Sequence, residues 1–211
     1  MLLAITRCLP QAFRQQDAKV WKWLPTLELQ GSTLGIIGFG HVGREVARRG
    51  VAFGMRALAV DLTPPETPPP GVEAVWPVER LPDLLRETDV LIMCAPHTPA
   101  SRRMLGAAEF ALLKEGAVFI NVSRGKTVDE PALIRALQAG KPRAAGLDVV
   151  FEEPLPQDSP LWEMENVILT AHNATVSPPT RERAFAIFRE NLRRYLAGEP
   201  LINVVDKQAG F

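Results

Sequence analysis

Short apolar segments alternate along this chain with longer stretches in which apolar residues recur every three or four positions. Several short segments are apolar on both faces, which is typical of strands in a parallel sheet covered by helices. The longer stretches predict helices that cross from one strand to the next. The predicted strands are residues 34–38, 56–60, 72–76, 90–94, 117–122, 144–150 and 167–169, and the predicted crossover helices are residues 42–53, 81–86, 107–113 and 130–137.

The two ends of the chain follow a different pattern. Residues 2–23 predict one or two helices broken at Pro10, with no strand of their own. Residues 180–196 predict an amphipathic helix that ends at Gly198. Its polar face carries interleaved arginines and glutamates, which favours a solvated surface over nucleic-acid binding. Residues 63–71 hold five of the nineteen prolines and predict a stiff surface loop.

Composition excludes several function classes. The 24 Lys and Arg residues balance 24 Asp and Glu residues, so the chain lacks the general attraction that nucleic-acid or anionic-membrane binders use. Cys8 and Cys94 have no metal-ligand spacing and cannot form a disulfide framework, which favours a reducing cytoplasm and no metal. We find no signal peptide and no apolar run of the roughly 20 residues that a membrane span needs.

The glycine motif Gly38-Phe-Gly40-His-Val-Gly43 follows a predicted strand and opens a predicted helix, as a dinucleotide-binding loop does. Glycine at these positions allows a tight turn, a close approach of backbone to a pyrophosphate, and close packing of helix on strand. The next strand ends in Asp61, which can accept hydrogen bonds from ribose hydroxyls and repel a 2′-phosphate. The sequence therefore predicts a Rossmann-type doubly wound parallel α/β sheet that binds NAD, flanked by helical extensions.

Arg124, Glu153 and His172 each lie near the carboxyl end of a predicted strand, at the sheet edge where the glycine loop lies. An arginine there can hold the carboxylate of a 2-oxo acid and polarise its carbonyl. A histidine can give or take the proton, and Glu153 beside it would raise its pKa. The same three residues could instead form a salt bridge and a surface position.

The chain has two further histidines. His41 lies in the glycine loop with Val42 and is better placed to contact a cofactor than to act as an acid. His97 follows a predicted strand and could line the same crevice. Spacing alone leaves the choice between His97 and His172 open.

Taken together, these motifs resemble the D-isomer-specific 2-hydroxyacid dehydrogenases, a family that includes phosphoglycerate dehydrogenase and glyoxylate/hydroxypyruvate reductases. The resemblance covers about residues 2–206. It rests on LGIIGFGHVG at 34–43, LKEGAVFINVSRG at 113–125 with VDE at 128–130, GLDV at 146–149 with Glu153-Pro154, and TAH at 170–172.

The resemblance implies specific roles for these residues. It selects Arg124, Glu153 and His172 as the catalytic set of an NAD-dependent oxidoreductase that acts on a small 2-oxo or D-2-hydroxy acid. It implies that Asp148 contacts the nicotinamide carboxamide and that Asp61 holds the adenine ribose. The cofactor site is then completed by Pro96, Thr98, and the backbone of Val122 and Ser123.

Two departures from the family pattern concern geometry and not chemistry. Ala171 stands where the family usually has proline before the catalytic histidine. The phenylalanine expected two residues after Asp148 is displaced to Phe151, which changes packing near Glu153.

The resemblance also sets expectations for domain organisation. Residues 1–24 correspond to an interdomain and dimerisation helix region, 25–174 to the NAD-binding domain, and 175–211 to a helix and tail of a substrate domain whose N-terminal segment is absent. We therefore expect a homodimer with impaired turnover. The alternatives are a non-catalytic NAD-sensing or protein-interaction module and an inert remnant of a gene.

Overall fold

A sheet of seven parallel strands forms the centre of the computed structural model, which describes residues 1–207 and Gly210. The strands are β1 (Thr33–Ile37), β2 (Arg56–Asp61), β3 (Val72–Pro77), β4 (Val90–Met93), β5 (Val118–Asn121), β6 (Ala144–Leu147) and β7 (Val167–Leu169). Their order across the sheet is β3-β2-β1-β4-β5-β6-β7. This order, which reverses direction at β1, confirms the predicted doubly wound fold.

Helices connect the strands and extend the chain at both ends. They are α1 (Leu2–Thr6), α2 (Leu9–Asp17), α3 (His41–Ala52), α4 (Leu81–Glu87), α5 (Ala107–Leu112), α6 (Glu130–Gln138) and α7 (Pro178–Ala197). The predicted strands and crossover helices agree with these to within a few residues at their ends. The largest difference is β6, which ends at Leu147 instead of residue 150 because the chain leaves the sheet at Asp148.

Alternate residues of each central strand pack into two separate apolar cores, one on each face of the sheet. In β4, Leu91 and Met93 contribute to one core while Val90 and Ile92 contribute to the other. All residues of β1, β4, β5 and β6 are buried. Burial on both faces explains why these strands are continuous apolar segments without alternation.

The N-terminal helices correct one prediction. The break between α1 and α2 lies at Arg7 and Cys8, and Cys8 has a left-handed backbone with φ of 53°. Pro10 lies within the first turn of α2, where the missing N–H of proline costs nothing. Helix α2 ends at Asp17, so the following residues up to Trp23 are not helical.

The chain divides into two compact units, residues 1–171 and residues 172–211. The sheet belongs to the first. In the second, Gly198 caps the C-terminus of α7 with a left-handed backbone, φ 69°, and so ends the helix where the sequence predicts. Glu190 pairs with both Arg193 and Arg194, as expected for a solvated face. Within the described residues, no helix is sufficiently long and apolar to cross a bilayer.

Candidate functional site

The candidate site lies where strands of the first unit end. Because all seven strands are parallel, their carboxyl ends share one edge of the sheet. This arrangement brings together predicted residues from different parts of the chain. They are Gly38, Gly40 and Gly43 after β1, Asp61 at the end of β2, Pro96 and Thr98 after β4, Val122, Ser123 and Arg124 after β5, and Asp148 and Glu153 after β6.

Steric crowding requires glycine at the first and last positions of the glycine loop. Gly38 has φ of 89°, and a Cβ atom there would lie 2.5 Å from the backbone nitrogen of Ala95. At Gly43 a Cβ would lie 2.2 Å from the carbonyl oxygen of Gly38. The loop therefore packs tightly against the segment that follows β4 and against the first turn of α3.

The middle glycine of the loop faces open space. A Cβ added at Gly40 would meet no atom within 4 Å. Gly40 is the N-cap of α3 and provides no side-chain cap, and His41 and Val42 of the first turn are exposed. An uncapped helix N-terminus beside open space is suited to phosphate oxygens, so the loop fits a dinucleotide pyrophosphate.

Asp61 connects the glycine loop to the end of β2. One carboxylate oxygen accepts a short hydrogen bond from the backbone N–H of Phe39, and the other accepts one from Thr63 at 2.9 Å. The side chain is half-buried and faces the glycine loop. It can offer a carboxylate to a ribose bound beside the loop, as the sequence predicts.

The segment after β4 is fixed by Ser101. Its hydroxyl donates to the carbonyl of Pro96 at 2.6 Å and accepts from the backbone N–H of Thr98 at 2.8 Å. Two other side chains of the segment, Cys94 and His97, are half-buried. Burial raises the pKa of the Cys94 thiol to about 12. The Nε2 atom of His97 is buried without a hydrogen-bond partner among the described residues.

Arg124 is presented by a short loop that the buried Asn121 side chain organises. The Asn121 side-chain oxygen accepts from both the backbone N–H and the hydroxyl of Ser123, each at 3.0 Å. Its amide nitrogen donates to the carbonyl of Arg124 at 3.2 Å, and Thr127 donates to the same carbonyl at 2.7 Å. Arg124 itself is exposed, and its guanidinium donates to the carbonyl of Ser123 at 2.7 Å.

Asp148 and Glu153 follow β6. Asp148 is only 3% exposed and accepts a hydrogen bond from the hydroxyl of Thr170. Glu153 is exposed, and one of its carboxylate oxygens accepts from the backbone N–H of Val150 at 3.2 Å. The Arg124 and Glu153 segments touch, because a Cβ at Gly125 would lie 1.8 Å from the carbonyl oxygen of Val150.

His172 follows β7 and is the first residue of the second unit. It is exposed and has a left-handed backbone with φ of 50°. Its role beside Arg124 and Glu153 stays a prediction. In the described part of the chain, no group of three or more His, Cys, Asp or Glu side chains is placed to hold a metal ion.

Three polar residues that organise the site are missing from the sequence predictions. Asn121, Ser101 and Thr170 contact backbone or carboxylate groups of the candidate residues and are not themselves candidates. Asn121 carried a usable signal, since it is a polar residue inside a strand that is otherwise apolar. Ser101 and Thr170 lie in loops, where a hydroxyl is too common to stand out.

Comparison with known proteins agrees with this geometry. Residues 1–174 match the family model described as "D-isomer specific 2-hydroxyacid dehydrogenase, NAD binding domain". The chain is 38% identical over 98% of its length to a D-3-phosphoglycerate dehydrogenase of Methanocaldococcus jannaschii, and 39% identical over 99% of its length to a glyoxylate reductase of Korarchaeum cryptofilum. It spans only 39% and 64% of these two relatives.

A solved structure shows the same similarity. The D-isomer specific 2-hydroxyacid dehydrogenase of Xanthobacter autotrophicus, crystallised with NADPH and MES, superposes with a TM-score of 0.90 at 36% identity. The match covers 100% of this chain and 85% of that one. Sequence, fold and glycine loop thus lead to one conclusion: the chain belongs to the D-isomer specific 2-hydroxyacid dehydrogenase family and contains its NAD-binding domain.

Proposed function

We propose that this chain binds NAD at the carboxyl edge of the sheet and takes part in the interconversion of a small 2-oxo acid and its D-2-hydroxy acid. The observation that carries the proposal is the shared edge, where the glycine loop and the Arg124 and Glu153 segments all leave the sheet. A bound nicotinamide supplies or accepts the hydride. Side chains of the chain are proposed to bind the acid and to exchange the proton.

Arg124 is proposed to hold the substrate carboxylate. A guanidinium forms two parallel hydrogen bonds with a carboxylate, which fixes the position of the adjacent C2 carbon as well as supplying charge. The exposure of Arg124 and the hydrogen-bonded backbone of its loop support this role. His172 is proposed to exchange the proton with the substrate oxygen, with Glu153 as the third member of the catalytic set, both on the family motif.

NAD is proposed over NADP because of Asp61. Its carboxylate lies at the end of β2 against the glycine loop, where the adenine ribose binds in this fold. A 2′-phosphate there would meet a like charge. The Xanthobacter relative was crystallised with NADPH, so coenzyme preference has to be measured on this chain.

The test is a panel of 2-oxo acids with NADH and with NADPH, on the purified 211-residue chain. It includes glyoxylate, hydroxypyruvate and phosphohydroxypyruvate, with coenzyme binding followed by fluorescence in the same samples. Turnover supports the proposal and the preferred acid gives the substrate class. Coenzyme binding without turnover favours a sensing or interaction module, and no binding of either coenzyme contradicts the proposal.

Variants separate the proposed roles. Arg124→Gln should raise the KM for the acid at least about tenfold, since charged hydrogen bonds contribute about 1.5–3 kcal/mol each. Arg102→Gln, at another exposed arginine, is the matched control and should behave as wild type.

A second pair of variants tests the proton donor. His172→Ala should abolish turnover and keep NADH affinity, and His97→Ala tests the other histidine. If His97→Ala loses activity and His172→Ala does not, His97 is the residue that exchanges the proton.

A further inference from the structure

Residues 128–130, the Val-Asp-Glu motif, have no part in the proposed chemistry, yet the side chains of Asp129 and Glu130 form different contacts. Asp129 is the N-cap of α6, and its carboxylate accepts from the backbone N–H of Ala132 at 3.0 Å. The side chain of Glu130, the first residue of the helix, contacts a different segment. Its carboxylate accepts a hydrogen bond of 2.7 Å from the backbone N–H of Phe151.

Phe151 belongs to the segment that carries Glu153. We call residues 150–154 the Glu153 loop. The N–H of Val150 bonds to the Glu153 carboxylate, so this loop is closed on itself. A hydrogen bond to an ionised carboxylate is about twice as strong as a neutral one. Glu130 is half-buried, which limits competition from water. The Glu130 carboxylate is therefore a firm external contact of the Glu153 loop.

Two further contacts involve Val150 and Phe151 of this loop. A Cβ at Gly125 would lie 1.8 Å from the oxygen of Val150 and 2.6 Å from the nitrogen of Phe151, so the backbone following Arg124 lies directly against the Glu153 loop. The Arg103 guanidinium lies 5.4 Å from the centre of the Phe151 ring. The Glu153 loop is thus held between α6 and residues 122–125, which we call the Arg124 loop.

We propose that Glu130 is a positioning residue that fixes the peptide of Phe151 and so holds the Glu153 loop against the Arg124 loop. This inference rests on the proposed function, which places Arg124 and Glu153 in one reaction. Without the Glu130 carboxylate, the N–H of Phe151 would lose its partner and the loop its contact with α6.

The experiment compares Glu130→Ala and Glu130→Gln with Asp129→Ala. The glutamine amide oxygen can still accept from Phe151, so Glu130→Gln is the conservative rescue. Asp129→Ala is the matched control, because it removes the cap of the same helix and leaves the bond to Phe151 intact. Each variant is measured by amide hydrogen exchange of the unliganded chain and by steady-state kinetics.

Glu130→Ala should increase exchange at Phe151 by about 10- to 100-fold, the loss expected for one charged hydrogen bond. It should lower kcat by about tenfold or more through misplacement of Glu153, with the KM for NADH unchanged. Glu130→Gln should recover most of both. Asp129→Ala should lower the melting temperature and leave Phe151 exchange and kcat near wild type.

Unchanged exchange at Phe151 in Glu130→Ala would overturn the proposal. So would equal effects of Glu130→Ala and Asp129→Ala on kcat, which would reduce Glu130 to a contributor to helix stability. If the wild-type chain shows no turnover, the proposed function fails and the catalytic part of this inference fails with it. Exchange at Phe151 then still decides whether Glu130 holds the loop.

Discussion

The carboxylate of Asp61 accepts hydrogen bonds from the backbone N–H groups of Phe39 and Thr63, so it stabilises the glycine loop before any cofactor binds. The same carboxylate is proposed to accept hydrogen bonds from the ribose hydroxyls of the cofactor and to repel a 2′-phosphate. A substitution that removes the whole side chain would confuse these two roles. Asparagine separates them, because it keeps an acceptor oxygen and loses the charge.

Asp61→Asn should relax the preference for NADH over NADPH by about tenfold, because the like charge facing a 2′-phosphate is gone. Its melting temperature should fall less than that of Asp61→Ala, which loses both loop contacts. The ratio of kcat/KM for the two coenzymes measures the first effect. Unchanged discrimination in Asp61→Asn would show that another group reads the ribose.

Cys94 gives the chain a pH-dependent stability term. Burial raises the pKa of its thiol from 9.0 to about 12, so the folded state keeps a proton that the unfolded state releases above pH 9. The contribution of the protonated thiol to the free energy of unfolding is therefore fully present below about pH 9 and is lost as pH rises toward 12.

Urea unfolding of wild type and Cys94→Ala at pH 8 and pH 10.5 should show the difference. Between pH 8 and pH 10.5 the free energy of unfolding should fall more for wild type than for Cys94→Ala. The difference should be at most about 1.4 kcal/mol per pH unit. Lysine and tyrosine titration is common to both chains and cancels. Equal losses would mean that the thiol is not shielded from ionisation.

At the scale of elements, alanine substitutions at two glycines of the same loop should have opposite effects: one should lower stability and the other should lower NADH affinity. In Gly43→Ala the new methyl would lie 2.2 Å from the carbonyl oxygen of Gly38, so the backbone between β1 and α3 must move apart. The melting temperature should therefore fall by several degrees. In Gly40→Ala the methyl meets no protein atom, so the fold should be nearly unchanged.

Cofactor binding should separate the two variants further. The methyl of Gly40→Ala occupies the space proposed for the pyrophosphate, and we expect NADH affinity to fall at least about tenfold. Thermal unfolding and a fluorescence titration of each variant provide the measurements. Wild-type affinity in Gly40→Ala would contradict the proposed approach of the phosphates to this turn.

The sequence predicted those elements whose signal is local. Strands such as β4 are apolar on both faces and stand out, and the glycine loop has a fixed spacing between strand and helix. The break near Pro10 was misplaced because proline is tolerated in a first helical turn as well as between helices. The bond from Phe151 to Glu130 was beyond prediction, because it joins residues whose proximity only the folded sheet creates.

At the scale of the whole molecule, the N-terminal segment leaves two large aromatic side chains in water. Trp21 and Trp23 are both largely exposed. Tryptophan is enriched in protein interfaces, where it contributes a large apolar area. We propose that this segment is part of the contact in a homodimer.

Sedimentation velocity over a range of concentrations should therefore show a dimer of the wild-type chain. The double variant Trp21→Ser and Trp23→Ser should shift the distribution toward monomer and keep NADH affinity. Leu201→Ser, which alters an exposed apolar residue of the second unit, is the control. A wild-type monomer at every concentration would contradict the proposal.

The position of β1 in the sheet also affects how the chain is made. Leu34 pairs with Ala57 on one side and with Val90 on the other. Ribosomes add about 5–20 residues per second, so β1 emerges seconds before β4 exists. During that interval the side of β1 that will receive β4 has unpaired N–H and C=O groups, and the nascent chain is open to mispairing there. Slow synthesis of residues 38–90 would prolong that exposure.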